Sequence, residues 1–128
     1  TVNGKHYPME MHLVHANNDG ELAVVGVFIE EGKFNPFFDR VIKNMPSQSG
    51  EHARPKTEML SAAHLLPDDQ LYYHFMGSLT TPPCSEGVNW NVLRQPIQVS
   101  SKQIKAFQKL YKSNSRPVQP LYGRVVKY

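Results

Sequence analysis

One cysteine in 128 residues, Cys84, is too few for a disulfide within the chain, and an odd thiol in a secreted protein calls for a partner elsewhere. No apolar run approaches the length of a membrane-spanning helix, and nothing at the N-terminus reads as a signal or transit segment, so no membrane partner is expected. Acid is missing from the last 28 residues, which hold half of the fourteen Lys and Arg. There Lys102, Lys105, Lys109 and Lys112 recur at helical spacing. Without stacking aromatics to accompany them they describe a solvated helix face, and no nucleic-acid partner is expected. A Gly-rich phosphate loop, H-E-x-x-H and C-x-x-C are absent as well. So is an initiator Met: "TVNGKHYP" reads as a turn feeding a strand, the expected start of a processed or truncated product.

What remains is a loop-rich globular chain of one domain by length, 40% apolar, with ten Pro and eight Gly. From Tyr7 to Ala16 the residues alternate, with Met9, Met11, Leu13 and His15 on one face and Glu10, His12 and Val14 on the other. "ANNDG" supplies a tight reversal, and "LAVVGVFI", Leu22 to Ile29, is an apolar run that reads as a strand buried on both faces. The pair predicts a β-hairpin at the centre of a sheet. "FNPFFDRVIKNMP" predicts a helix with Asn35 as N-cap, Pro36 at its first position and Pro46 as its stop. A polar loop over 47–57 and at best a short helix in "EMLSAAHLL" follow. Leu71–Met76 and Val88–Val92 are strand candidates joined by an irregular loop that Pro82 and Pro83 keep out of any sheet interior. Ser101 is placed to cap a last helix with apolar positions Ile104, Phe107, Leu110 and Tyr111, and a proline-punctuated extended tail ends the chain.

Charge and imidazole inside the first strand need an explanation, because a buried unpaired carboxylate costs several kcal/mol. His12 and His15 would share a face on a helix, but on a strand they point to opposite sides. Glu10 and His12 share a face, about 6.6 Å of rise apart, so the carboxylate can reach one ring nitrogen and leave the other free, an arrangement common behind metal-ligating histidines. From these residues alone a hydrogen-bonded core histidine and a metal ligand both stay open. In "SLTTPPCSEGVNW", Ser78, Thr80 and Thr81 precede the two prolines. Hydroxyls on such a restrained loop suit the orienting of a water or oxyanion, and a plain Ser/Thr-rich turn is the other reading. No basic residue close to Cys84 in sequence argues for a nucleophile.

Three segments, "MEMHLVHANNDGELAVVGVFIEEG", "YYHFMGSLTTPPCSEGVNWNVL" and "SSKQIKAFQKLY…SRPVQPLYGR", together resemble the C-terminal half of an α-class carbonic anhydrase of the bacterial or secreted type, over essentially the whole of 1–128. The resemblance implies a mainly β fold, bordering on α+β: a large twisted, mostly antiparallel sheet with short surface helices, of which this chain is about half. It implies zinc-dependent reversible hydration of CO2 to bicarbonate and a proton. His12 matches the third zinc-ligand histidine, Glu10 the carboxylate on its other nitrogen, and His15 no ligand. Thr80 matches the gatekeeper threonine that orients the attacking hydroxide, and Thr81 its neighbour on the substrate side. Val14, Val24, Leu79, Val88 and Trp90 match the apolar wall that holds CO2.

The family's other two zinc ligands, its proton-shuttle histidine and the glutamate orienting the gatekeeper threonine precede the point where this sequence starts. His6, His52, His64 and His74 have no positional claim to replace them. The expected partners are therefore CO2 or bicarbonate and the N-terminal half of the same protein, with the isolated segment inactive. Cys84 matches the cysteine that pairs, in secreted and periplasmic members, with one in the N-terminal half, which implies a periplasmic or extracellular location. A non-catalytic binding module on the same fold, and a generic β-rich domain with no site, are the competing expectations.

Overall fold

A computed structural model describes residues 1–46, 52, 60–110 and 113–128. The expected polar loop over 47–57, the start of "EMLSAAHLL", and Tyr111 and Lys112 of the last helix lie outside the described residues, His52 and Leu60 excepted.

Four strands, β1 (Met9–Ala16), β2 (Leu22–Glu31), β3 (Tyr72–Ser78) and β4 (Glu86–Val99), form one mixed sheet in the order β1-β2-β4-β3. The outer pairings are antiparallel, as expected, whereas the central one, β2 with β4, is parallel. That pairing accounts for the unbroken apolar run of β2, since a strand covered on both faces has no solvent side to alternate with. The hairpin forms as read, but among the described residues it does not lie at the centre of the sheet. β2 is interior and β1 is the edge strand among the described residues. Asn17 makes the reversal, its Oδ1 accepting from the backbone N–H of Asp19 and Glu21, and Gly20 supplies the positive φ that closes it.

The β4 strand runs well beyond the expected Val88–Val92. Its register against β2 jumps between Val27↔Leu93 and Ile29↔Ile97, and Pro96 falls inside that jump. A proline without an N–H is tolerated there because the ladder is already interrupted.

One face of the sheet, through Val27, Ile29, Leu93 and Ile97 with Met9, Met11 and Val25, packs on α1 (Pro36–Asn44), on a 3₁₀ turn (Ala62–Leu65) and on α2 (Ser101–Leu110). The other face carries a second cluster of Val24, Phe28, Val88, Trp90 and Val92, with Phe75 and Leu79 against it, and among the described residues no helix packs on it. α1 begins as its sequence predicts: Asn35 Oδ1 accepts from the N–H of Phe37 and Phe38, and Pro36 opens the helix. α2 does not begin as read. Ser101 is its first helical residue, and the preceding Ser100 caps it, its hydroxyl accepting from Gln103 N–H. Tandem serines offer the same chemistry, and buried Gln103 selects between them: its Oε1 accepts from Ser100 N–H and Asn35 N–H while its Nε2 donates to Asn35 C=O. The starts of both helices thus share one side chain. Asn35→Ala is expected to destabilise the protein by about 1 kcal/mol, the usual worth of an N-cap, as measured by urea unfolding.

The tail docks along β3. His74 N–H donates to Lys127 C=O and receives the reciprocal bond, while Arg124 donates to Met76 C=O and to Leu121 and Pro120 of its own turn.

Candidate active site

Strand alternation places Glu10, His12 and Val14 on the face without helices. His12 Nε2 lies 3.3 Å from Glu10 Oε1, as the two-residue spacing predicts. A carboxylate facing Nε2 favours the proton on that nitrogen and leaves the Nδ1 lone pair as the donor available to a metal. Nδ1 has no hydrogen-bond partner among the described residues. His15 sits on the opposite face, exposed and paired in register with Ala23, so the structure separates the two histidines.

Edge to face against the His12 ring stands Trp90, with ring centroids 4.8 Å apart. Trp90 is 5% exposed and is the hub of this face. Phe75 stacks parallel to it at 6.2 Å, and its Nε1–H donates to Ser78 C=O at 3.0 Å. Gly77 makes room for it: a Cβ there would lie 2.9 Å from the indole Cδ1. The indole therefore fixes the imidazole on one side and the root of the Ser78–Ser85 loop on the other. That loop is tied further by Leu79 N–H to Ser85 C=O, by Cys84 N–H to Thr81 C=O, and by Arg116 donating to the Ser78 hydroxyl. The Pro82–Pro83 peptide is cis.

Thr80 and Thr81 are exposed on this tied loop, and neither hydroxyl is engaged by a described residue. Of the expected apolar wall, Val24, Val88, Trp90 and Leu79 come together in one cluster. Val24 and Val88 are closed off from solvent at 1% and 0% exposure and form its base, whereas Val14, opposite Val24 in register, is 59% exposed at the sheet edge. Cys84 is a free, half-buried thiol at φ +58°.

His12 with its carboxylate partner fits a zinc ligand in donor chemistry, but it is one ligand. Among the described residues no three His, Cys, Asp or Glu side chains converge on a common point. His6, His64 and His74 do not supplement it: His74 Nδ1 contacts Trp90 C=O, and His64 lies against Phe37 beside α1. One residue of this face escapes sequence reasoning. Gly26, buried opposite His12 in β2, lies under the Glu10 carboxylate, and the signal for it is a glycine inside a strand-forming apolar run.

Comparison with known proteins gives a consistent picture. The family model for eukaryotic-type carbonic anhydrase matches residues 1–128. A carbonic anhydrase of Klebsiella pneumoniae is 51% identical over 127 residues, 98% of this chain and 51% of that protein. One from Nostoc sp. is 43% identical over 125 residues, 98% of this chain and 47% of that protein. The α-carbonic anhydrase from Thermovibrio ammonificans, solved with the inhibitor sulfanilamide, superposes with a TM-score of 0.92 at 47% identity, covering 98% of this chain and 56% of that one. The chain thus spans about half the length of these curated relatives.

Proposed function

This chain belongs to the eukaryotic-type carbonic anhydrase family, and from that premise we propose that the full-length protein is a zinc-dependent enzyme that interconverts CO2 and bicarbonate. The observation that carries the reading is the Glu10–His12 pair on the open face beside Trp90. The remaining ligands come from the N-terminal half of the same protein, whose natural place is against β1, the edge strand that presents His12. His12 and Glu10 are 28% and 33% exposed in their side chains, which leaves the pair accessible for such closure.

Zinc, when bound, acidifies a water molecule so that hydroxide is available near neutral pH, as in carbonic anhydrases generally. This chain's residues then do the rest. Glu10 holds a proton on His12 Nε2 and keeps Nδ1 aimed outward. Thr80, on a loop anchored through Ser78 to Trp90 and Arg116, orients the attacking oxygen through its hydroxyl, with Thr81 beside the substrate. Val14 and Leu79, backed by Val24, Val88 and Trp90, offer CO2 an apolar surface that water does not compete for. Cys84 pairs with a cysteine of the N-terminal half, consistent with a periplasmic or extracellular protein.

Zinc content and CO2 hydration of the full-length protein test this reading, with Thr80→Ala as the sharpest variant. It is expected to retain zinc and lose roughly 10²-fold in hydration rate, the usual loss for one positioned hydrogen-bonding group. Unchanged turnover would remove Thr80 from the mechanism, and a metal-free, inactive full-length protein would leave a binding module on this fold.

A further inference from the structure

We propose that Gly26 is a positioning residue for the candidate metal ligand: it is side-chain-free so that the Glu10 carboxylate can lie across β2 and face His12. The inference rests on the metal-site reading above and names a residue that acts behind it.

Glycine in the interior of a strand is costly, because it gives up packing and raises the entropy lost on folding. Gly26 sits at such a position, buried within β2, paired with His12 on one side and Val92 on the other. Its φ is not in the left-handed region, so backbone conformation does not explain it. What explains it is the space above its Cα. A Cβ there would lie 2.7 Å from Glu10 Oε1, and 3.2 and 3.6 Å from the two methyls of Val92.

These contacts differ in kind. The valine contact is tight but tolerable if Val92 yields by a few tenths of an ångström. The carboxylate contact is not tolerable, yet it falls on the far end of a flexible side chain, which rotates away more readily than a backbone atom would move. Alanine at position 26 is thus expected to leave the sheet folded and to move the carboxylate off His12. Without a carboxylate beside Nε2, the imidazole loses the group that favours its proton there. Both ring nitrogens then compete for the proton, and Nδ1 is no longer reserved as a lone-pair donor.

The experiment compares Gly26→Ala, Glu10→Ala and the double variant in the full-length protein, with two readouts. The first is the His12 tautomer in metal-free protein, from imidazole nitrogen shifts measured where the ring is neutral. The second is zinc affinity by competition with a chelator. Gly26→Ala is expected to shift His12 from the Nε2–H form toward a tautomer mixture and to weaken zinc by about 10- to 100-fold, as Glu10→Ala does. The double variant is expected to match Glu10→Ala alone, because once the carboxylate is gone the added methyl displaces nothing that matters to His12.

Wild-type tautomer and zinc affinity in Gly26→Ala overturn the proposal. So does a double variant in which the two losses multiply, and so does a Gly26→Ala protein that fails to fold, since either outcome makes Val92 packing the reason for the glycine. Failure of the metal-site reading looks different. His12→Ala would then leave zinc binding intact, while the metal-free tautomer would still decide the role of Gly26.

Discussion

His12→Ala in the full-length protein is expected to weaken zinc binding by roughly 10²- to 10³-fold, while His15→Ala leaves it unchanged. The magnitude is taken from structural zinc sites in peptides, about 10–16 kcal/mol over four protein ligands, so that one ligand carries about 3 kcal/mol. The asymmetry follows from the strand. His12 shares a face with Glu10 and Trp90, whereas His15 is turned to the other side, exposed and opposite Ala23. Metal titration of the two purified variants checks both halves of the statement. Equal losses would require the two rings to reach one metal, which β1 does not permit.

Trp90→Ala is expected to be the most damaging single substitution on the site face, at about 3–5 kcal/mol of stability, the range for removing a large buried aromatic. The cavity would open between Phe75, Val24 and Val88, where nothing short of moving strands can refill it. Trp90→Phe separates the two jobs of the indole. It keeps most of the ring volume and leaves Ser78 C=O without its donor, which costs about 1 kcal/mol. Urea unfolding of both variants measures the difference, and hydration rate in Trp90→Phe reports whether the Ser78 bond steadies the loop that carries Thr80. A loss under 1 kcal/mol in Trp90→Ala would mean that the cluster does not close around the indole as described.

Much of this architecture is legible in the amino-acid order because short-range chemistry decides it. Asn35 followed by Pro36 can hardly mean anything but a helix start, and the β2 apolar run declares a strand with no wet side. Two-residue alternation is enough to separate His12 from His15 and to join His12 to Glu10. What eluded the sequence depends on distant neighbours. Strand order is one case: nothing inside Met9–Ala16 says whether a further strand lies beyond it. Pro96 is another: what lets it sit inside β4 is the register jump against β2, which lies in a distant partner strand. Gly26 looks like one more small residue in an apolar run, and its reason, a carboxylate from the adjoining strand, comes from β1. The threonine loop lies between these extremes. Its prolines announce that it leaves the sheet, yet the bonds that steady it, from Trp90 and Arg116, come from 12 and 38 residues away.

The two margins of the sheet are unlike. Along β3 the docked tail occupies backbone groups at His74 and Met76, whereas along β1 the outward-pointing amides and carbonyls have no described neighbour. Strand addition to this segment is therefore one-directional. On the proposed reading the N-terminal half extends the sheet from β1 alone, while the docked tail holds the other margin at His74 and Met76, so the sheet grows in one direction only.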